Sequence, residues 1–289
     1  MTVLYEGTHD GERYVGFGTP EDATAEGATL TLYPLGDLDL RAEVLAADGD
    51  SAALTAALAA GREPRSIPAD EVSFRPPLLP DAIGDALVSG FMQTHNVKVD
   101  ASTQSQPNWF FKGLGDTLKL SGERLRAPRG AVALTEEAEI VLVYVTDEGG
   151  TPQYAGYTFG NDLTDIGRFK RHAGHLSYAK LCDAGVAPWL FLGTPPSQVT
   201  GQVAIERGAE EVWRGTFTTG TKALHYGLRD MMSELFSYEG LSHPGRVHYV
   251  YIGADRASFH DGFTIADQDR IEIHFATHGV TLTHTVDWR

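Results

Sequence analysis

The chain has 289 residues, 42% of them hydrophobic, and a formal net charge of −16 at pH 7. This length and apolar content are those of a globular protein with a sizeable core, and the acidic excess argues against nucleic acid or an anionic membrane surface as a partner. Cys182 is the single cysteine, so no intrachain disulfide can form. No apolar segment approaches the length of a membrane span, and the N-terminal residues lack a signal-peptide pattern. We therefore expect a soluble, cytoplasmic protein.

Several patterns in the first 75 residues predict a small α/β unit. The runs "RYVGFG" and "TLTLYPL" are short and strand-like. Further along, "DGDSAALTAALAAG" predicts a helix with Asp50 or Ser51 as its N-cap and Gly61 just past its end. The prolines of "FRPPLLPDAIGDALVSGF" then indicate a boundary near residue 75. We expect a small N-terminal domain over residues 1–75 and a second domain over residues 76–289.

The second domain is predicted to be mainly β, which makes the whole chain α+β. Apolar or alternating runs recur along it between turn residues, among them "IVLVYV", "QYAGYTFG", "PWLFLG", "VHYVYIG" and "RIEIHF". The stretch "TKALHYGLRDMMSELFSYEG" differs, because its apolar residues recur at helical spacing and Gly240 is placed to end a helix. The apolar positions that we expect to fill the core are Leu224, Leu228, Met231, Met232 and Leu235.

Two acidic residues stand at the start of a strand that is apolar on both faces, "EEAEIVLVYV". Side chains alternate along a strand, so Glu137 and Glu139 are predicted to share a face with Val141. A buried acid must be neutralised, paired with a cation or bound to a metal, and no basic residue lies beside this stretch after Arg129. Carboxylate oxygens suit hard cations such as magnesium, calcium or manganese. The acid pair is therefore a candidate divalent-metal site, which a third acid would support.

A third acid and a lysine follow the acid pair. The stretch "QYAGYTFGNDLTD" predicts a strand that ends at Gly160 and Asn161 and delivers Asp162 into a loop. In "HLSYAKLCDAGVAPWLFLG", Lys180 lies between two apolar stretches. A lysine in that setting is either a surface residue with a buried stem or a cation held in position. The order of these features along the chain is Glu-x-Glu, strand, Gly-x-Asp and Ala-Lys.

This order resembles that of the fumarylacetoacetate hydrolase superfamily, and the resemblance runs from about Leu79 to the C-terminus. "PNWFFKG" is similar to the family's proline, phenylalanine and lysine run, and "EEAEIVLVYV" to its metal-binding strand. "GYTFGNDLT" resembles the segment with the third metal carboxylate, and "YAKLCD" the segment with the active-site lysine. "HPGRVHYVYIGAD" and "DQDRIEIHFATHGVTLTHTV" resemble the closing segments. The most similar branch is the bacterial one found among sugar-acid genes.

The resemblance implies a twisted, mainly β catalytic domain of the β-roll type, a divalent metal and a homodimer. The metal is usually Mg²⁺, with Mn²⁺ or Ca²⁺ as alternatives. The implied metal ligands are Glu137, Glu139 and Asp162. Lys180 would steady the carboxylate or enolate of the substrate, and His95 lies where the family keeps a histidine on a mobile segment near the site. Lys112 matches the family's lysine before the metal strand. Without the resemblance, His95 could equally be a surface histidine, and for Lys112 a solvated lysine is the alternative.

The chain departs from the family pattern at two places. Family hydrolases that cleave carbon–carbon bonds carry a glutamate three residues after the histidine, and this chain has Lys98 there, with Asp100 as the nearest acid. The threonine of the family's "GT" segment is also replaced, because "YIGADRASF" offers Ala254 and Asp255. Without its acidic partner, the histidine is poorly equipped to activate water. We therefore expect dehydration of a 2-keto-3-deoxy sugar acid rather than hydrolysis.

The expected substrate is a small 2-oxo acid that chelates the metal, which stabilises an enolate when a C3 proton is lost. A hydroxyl at C4 then leads to elimination, a carbonyl at C4 leads to hydrolytic cleavage of the C3–C4 bond, and an oxaloacetate-type substrate loses carbon dioxide. Two alternatives to the dehydratase stay open. One is an acylpyruvate-type C–C bond hydrolase, and the other is a pseudoenzyme that binds the metal without catalysis.

Overall fold

The computed structural model describes residues 3–100 and 103–288, and it is mainly β. The strands before residue 130 are β1 (Val3–His9), β2 (Glu12–Gly18), β3 (Thr29–Pro34), β4 (Arg65–Pro68), β5 (Ser73–Arg75), β6 (Ala86–Met92), β7 (Asn108–Leu114), β8 (Leu118–Lys119) and β9 (Arg124–Arg126). Those after it are β10 (Leu134–Thr135), β11 (Ala138–Thr146), β12 (Pro152–Asp162), β13 (Thr164–Asp165), β14 (Ala184–Val186), β15 (Trp189–Phe191), β16 (Val199–Arg207), β17 (Glu210–Thr219), β18 (Val247–Tyr251), β19 (Arg270–Phe275) and β20 (Val280–Asp287). The α-helices are α1 (Pro20–Thr24), α2 (Leu40–Ala47), α3 (Ser51–Ala59), α4 (Ile166–Arg171), α5 (Leu176–Ala179) and α6 (Leu228–Leu235). The predicted mainly β class is confirmed.

Helix α3 forms where its capping residues predict it. The Asp50 carboxylate accepts hydrogen bonds from the backbone N–H groups of Ala52, at 2.9 Å, and Ala53, at 3.1 Å. These bonds satisfy donors of the first turn that have no partner inside the helix. Gly61 follows the helix with a φ of +70°, in the left-handed region that glycine adopts without strain.

The helix predicted over residues 221–240 is much shorter in the structure. Helix α6 includes only Leu228–Leu235. Leu224 instead forms an isolated β-bridge with His95, so a long-range contact uses the backbone that the sequence pattern assigned to the helix. The predicted core positions Met231, Met232 and Leu235 are nevertheless buried.

One large sheet carries most of the strands. Its order is β4-β3-β2-β1-β15-β12-β11-β18-β6-β7, with β5 paired to β1 and β14 paired to β12 and β8. A second sheet has the order β17-β16-β19-β20-β9, and β10 pairs with β13. Strand β1 is hydrogen-bonded to β15, so the N-terminal strands continue the large sheet. The division of the chain at residue 75 stays a prediction.

Strand β11 is buried on both faces, as its sequence predicts. One face contributes alternate residues to a first hydrophobic cluster, namely Ala138, Ile140 and Leu142. The other face contributes Val141, Val143 and Val145 to a second cluster. Neighbouring strands β12 and β18 pair with β11 on its two edges, both antiparallel. The start of β11 therefore lies deep in the molecule, and any acid placed there is removed from water.

The strand ends differ slightly from the prediction. Strand β11 begins at Ala138, so Glu139 lies in the strand and Glu137 directly precedes it. Strand β12 extends to Asp162, which is its last residue rather than part of a loop.

Within the described residues, every helix is too short or too polar to cross a lipid bilayer.

Candidate active site

The three acids that the sequence singled out meet where β11 begins and β12 ends. The backbone N–H of Asp162 donates to the carbonyl of Glu137 at 2.9 Å, and Glu139 lies opposite Gly160 in the strand pair. One oxygen from each of Glu137, Glu139 and Asp162 lies within 4.8 Å of the other two, and all three side chains are buried. The antiparallel pairing thus converts two separated motifs into one cluster of carboxylates.

Lys180 is a cation held in position, not a surface residue. Its ammonium donates to Glu137 Oε2 at 2.6 Å, to Thr164 Oγ1 at 2.8 Å and to Asp162 Oδ2. It also lies 4.4 Å from the centre of the Phe110 ring, a cation–π distance. An ammonium has three N–H donors, and each of them has an acceptor here. Lys180 therefore neutralises and orients two of the three carboxylates.

Lys112 is buried as well, which excludes the surface alternative. Its ammonium lies 2.6 Å from Asp162 Oδ1. It donates to the carbonyl oxygens of Leu163, at 2.7 Å, and Lys180, at 3.3 Å. Lys112 and Lys180 thus form ion pairs with different carboxylate oxygens of Asp162. The family resemblance placed both lysines near the site, but their partners come from distant parts of the chain and were not predicted.

The lysines compensate two of the carboxylates but not the third. Burial by itself would raise the pKa of Glu137, but Lys180 and then Lys98 outweigh it and lower that pKa to about 2. The pKa of Glu139 is raised well above its usual range, first by burial and then by the negative charges of Asp162 and Glu137. Neither Lys112 nor Lys180 donates to Glu139, and its ionised form is disfavoured without a further cation. An all-carboxylate donor set fits a hard divalent cation, which would favour ionised Glu139.

His95 is fully buried on the segment between β6 and β7. Its Nε2 lies 2.8 Å from Thr219 Oγ1, and its Nδ1 lies 3.1 Å from Thr94 Oγ1. Burial and the nearby Lys98 lower the pKa of His95 to about 4, so the imidazole is neutral at pH 7. The two threonines were not found from the sequence, where nothing distinguishes them from other threonines.

Comparison with known proteins gives a fold but no close relative. No family model and no curated protein matches the sequence. A solved structure of a 2-keto-3-deoxy-D-arabinonate dehydratase complexed with magnesium and 2,5-dioxopentanoate matches 100% of this chain and 99% of that one, at 16% identity and a TM-score of 0.66. A 5-carboxymethyl-2-hydroxymuconate delta-isomerase from Mycobacterium smegmatis matches 99% of this chain and 100% of that one, at 17% identity and a TM-score of 0.60. The chain has the fold of the fumarylacetoacetate hydrolase superfamily. The resemblance inferred from the motifs is confirmed at the level of the fold.

Lys98 and Asp255, the two departures from the fumarylacetoacetate hydrolase pattern, both make defined contacts in this structure. The ammonium of Lys98 lies 3.9 Å from Glu137 Oε1, and its side chain is only 16% exposed. A cation thus faces the acid cluster at the position where the family pattern has a glutamate. Asp255 accepts a hydrogen bond from the backbone N–H of Thr218 at 2.9 Å. It therefore anchors the end of β17, next to the threonine that contacts His95.

A fourth buried acid, Glu136, was missed although it stands in the same motif. Its carboxylate accepts from the N–H of Ser258 at 2.8 Å and from the Ser258 hydroxyl at 2.5 Å. Burial raises the pKa of Glu136 to about 7. Strand alternation would have separated Glu136 from the Glu137 and Glu139 pair. Its partner, 122 residues away in the sequence, could not be read from the motif.

Proposed function

We propose that the chain is a divalent-metal-dependent lyase that dehydrates a 2-keto-3-deoxy sugar acid. Glu137, Glu139 and Asp162 would hold the cation, with Mg²⁺ as the first candidate and Mn²⁺ or Ca²⁺ as alternatives. When bound, it supplies a Lewis acid that stabilises the negative charge formed on a 2-oxo acid as a C3 proton is lost. The dehydratase structure with magnesium and 2,5-dioxopentanoate supports this proposal through its shared fold.

The lysines and His95 have separate proposed roles. The positive charge of Lys180 steadies the substrate carboxylate or the enolate, and Lys112 holds Asp162 in place. His95 moves a proton to or from the substrate, which a neutral imidazole can do at pH 7. The low exposure of all these side chains excludes water from the site, which strengthens their electrostatic effects.

The observation that carries the choice of elimination is the set of partners around His95. Threonine hydroxyls contact both ring nitrogens, and the position of the hydrolases' glutamate is Lys98. Elimination requires only that a proton be moved to or from the C4 hydroxyl. Hydrolysis also requires a water molecule to be oriented and deprotonated, which is the task of the missing acid. The imidazole without a carboxylate partner therefore favours the dehydratase.

Side-by-side turnover assays test this proposal. With Mg²⁺ present, we expect a 2-keto-3-deoxy pentonate or hexonate to lose water to a 2-oxo-semialdehyde, and acetylpyruvate to be a poor substrate. Chelation of the metal should stop the reaction, and product identification by mass spectrometry distinguishes the two chemistries. Faster cleavage of acetylpyruvate to pyruvate and acetate would replace the dehydratase with the C–C hydrolase. Tight metal binding without turnover of any 2-oxo acid would leave the pseudoenzyme.

A homodimer is the second part of the proposal. Strand β7 lies at the end of the large sheet, and it exposes Phe111 and Leu114, each at 39%. An edge strand with exposed apolar side chains is a surface suited to pairing with another chain. We expect light scattering at micromolar concentration to give about twice the chain mass of 31.3 kDa. A mass equal to a single chain would contradict this assembly.

A further inference from the structure

A single peptide group links the acid cluster to the segment that carries His95. The carbonyl oxygen of Ile252 accepts a hydrogen bond from Thr94 Oγ1 at 2.7 Å. The N–H of Gly253 donates to Glu139 Oε2 at 2.6 Å. These two groups belong to the same planar peptide unit, so a rigid element joins Glu139 to Thr94.

The Thr94 hydroxyl decides which nitrogen of His95 carries hydrogen. A hydroxyl has one proton to donate, and a carbonyl oxygen can only accept. Two oxygens 2.7 Å apart need that proton between them, so Thr94 gives it to Ile252. In the 3.1 Å contact with His95, the hydroxyl must therefore accept, and Nδ1 of the imidazole must donate.

The second ring nitrogen follows from the first. A neutral imidazole has one N–H and one unprotonated nitrogen. If Nδ1 carries the hydrogen, Nε2 has a free lone pair, and the 2.8 Å contact with Thr219 is a hydrogen bond from the hydroxyl to Nε2. The hydrogen bonds then run in one direction, from Thr219 to His95, from His95 to Thr94 and from Thr94 to the carbonyl of Ile252. The N–H of the same peptide group donates to the Glu139 carboxylate, where the series of hydrogen bonds ends. Such aligned hydrogen bonds polarise one another.

We propose that Thr94 is a positioning residue that fixes His95 as the Nδ1–H tautomer, so that Nε2 is the nitrogen that exchanges a proton during the reaction. The tautomer follows from the hydrogen bonds alone, and only its use in catalysis rests on the proposed function. Positive charge that develops on the imidazole when Nε2 takes a proton is stabilised along the chain toward Glu139. The two contacts of the His95 ring, with Thr94 and Thr219, thus define its chemistry.

Gly253 is required for this arrangement. Its φ is +95°, and a Cβ added there would come within 2.1 Å of Thr94 Oγ1 and 3.3 Å of the Phe91 carbonyl oxygen. Any side chain would displace the hydroxyl from its place between Ile252 and His95. The Thr94 contact therefore requires glycine at this position of the "YIGAD" loop.

The tautomer can be measured without any substrate. Protein labelled with ¹⁵N-histidine gives long-range ¹H–¹⁵N spectra in which protonated and bare ring nitrogens have distinct shifts, and a His95→Asn variant identifies the His95 signals by their loss. We expect Nδ1 to be protonated and Nε2 bare at pH 7. In Thr94→Val, which keeps the shape but removes the acceptor, the His95 signals should shift away from this single form. Thr94→Ser should restore it.

Turnover gives the second readout. An imidazole in the wrong tautomer cannot accept the proton at Nε2, so kcat of Thr94→Val should fall at least roughly tenfold. KM and metal affinity should change little. Thr94→Ser should recover the wild-type kcat. Thr146→Val is the matched control, because Thr146 Oγ1 contacts Nε2 of the buried His248 at 3.3 Å. It should alter only the His248 signals.

Two results would overturn the inference. One is a wild-type spectrum with Nε2 protonated, and the other is a Thr94→Val spectrum in which the His95 signals keep the wild-type form. Should Thr94→Val fail to fold, the wild-type spectrum and Thr94→Ser still decide the tautomer. If the spectra are as expected but the protein turns over no 2-oxo acid, the proposed function is refuted and the tautomer assignment is still supported.

Discussion

Replacing His95 with alanine is expected to slow turnover of the 2-oxo acid roughly 100- to 10,000-fold, the range typical for losing a general acid–base group. Metal affinity should change little, because the ring nitrogens of His95 contact Thr94 and Thr219 rather than the three carboxylates. Steady-state kinetics give the rate, and calorimetry with Mg²⁺ or Mn²⁺ gives the affinity. The combination separates a group that moves protons from one that supports the metal.

His248→Ala is the matched control for this variant. His248 is also buried, and burial lowers its pKa to about 4 as it does for His95. It contacts Thr146 at the far end of β11, about 23 Å along the strand from Glu139 at roughly 3.3 Å per residue. Its loss should leave kcat of the folded protein near the wild-type value. A His95→Ala protein that turns over within threefold of the wild type would remove His95 from the mechanism.

Changing Glu139 to glutamine should weaken divalent-metal binding by more than the roughly 10- to 100-fold typical of residues that only orient a ligand. Glutamine has nearly the same shape, and its amide oxygen can still accept the bond from Gly253 that Glu139 accepts now. The substitution therefore removes one negative charge while the local packing is kept. Calorimetry that shows undiminished affinity for magnesium and manganese would exclude Glu139 as a ligand.

The melting temperature of the metal-free protein is a second test of Glu139→Gln, and it should not fall although metal affinity does. Burial and the charges of Asp162 and Glu137 raise the pKa of Glu139, which means that its ionised form is disfavoured in the folded state. Glutamine removes that cost, so the melting temperature without metal should be no lower than that of the wild type. Glu136→Gln is the control, because Glu136 is equally buried but binds Ser258 instead. It should leave metal affinity nearly unchanged.

The sequence alone determined the features that depend on neighbours along the chain. The alternation of "EEAEIVLVYV" predicted a strand buried on both faces, and Asp50 predicted the start of α3. The Glu-x-Glu pair with the later Asp162 identified the acids that meet in space, because antiparallel pairing of consecutive strands is itself a local property. The order of motifs was enough to anticipate the fold.

Only the tertiary structure decided what surrounds these acids. Lys180 reaches Glu137 across 43 residues, and Lys112 reaches Leu163 across 51, whereas the sequence showed no cation beside the acidic stretch. A buried charge is stabilised by whichever cation the fold brings within a few ångströms, and sequence distance carries no information about that. The positive charges of the lysines thus nearly balance the negative charges of the buried carboxylates.

The environment of His95 was hidden for the same reason. Thr219 lies 124 residues from His95, and Ile252 lies 158 residues from Thr94. The bridge between His95 and Leu224 also shortened the helix that the apolar pattern predicted. Local propensity is worth less than 1 kcal/mol per residue, so a long-range backbone pairing that buries a segment overrides it. Sequence identified the chemical groups, and tertiary contacts decided their charge, tautomer and partners.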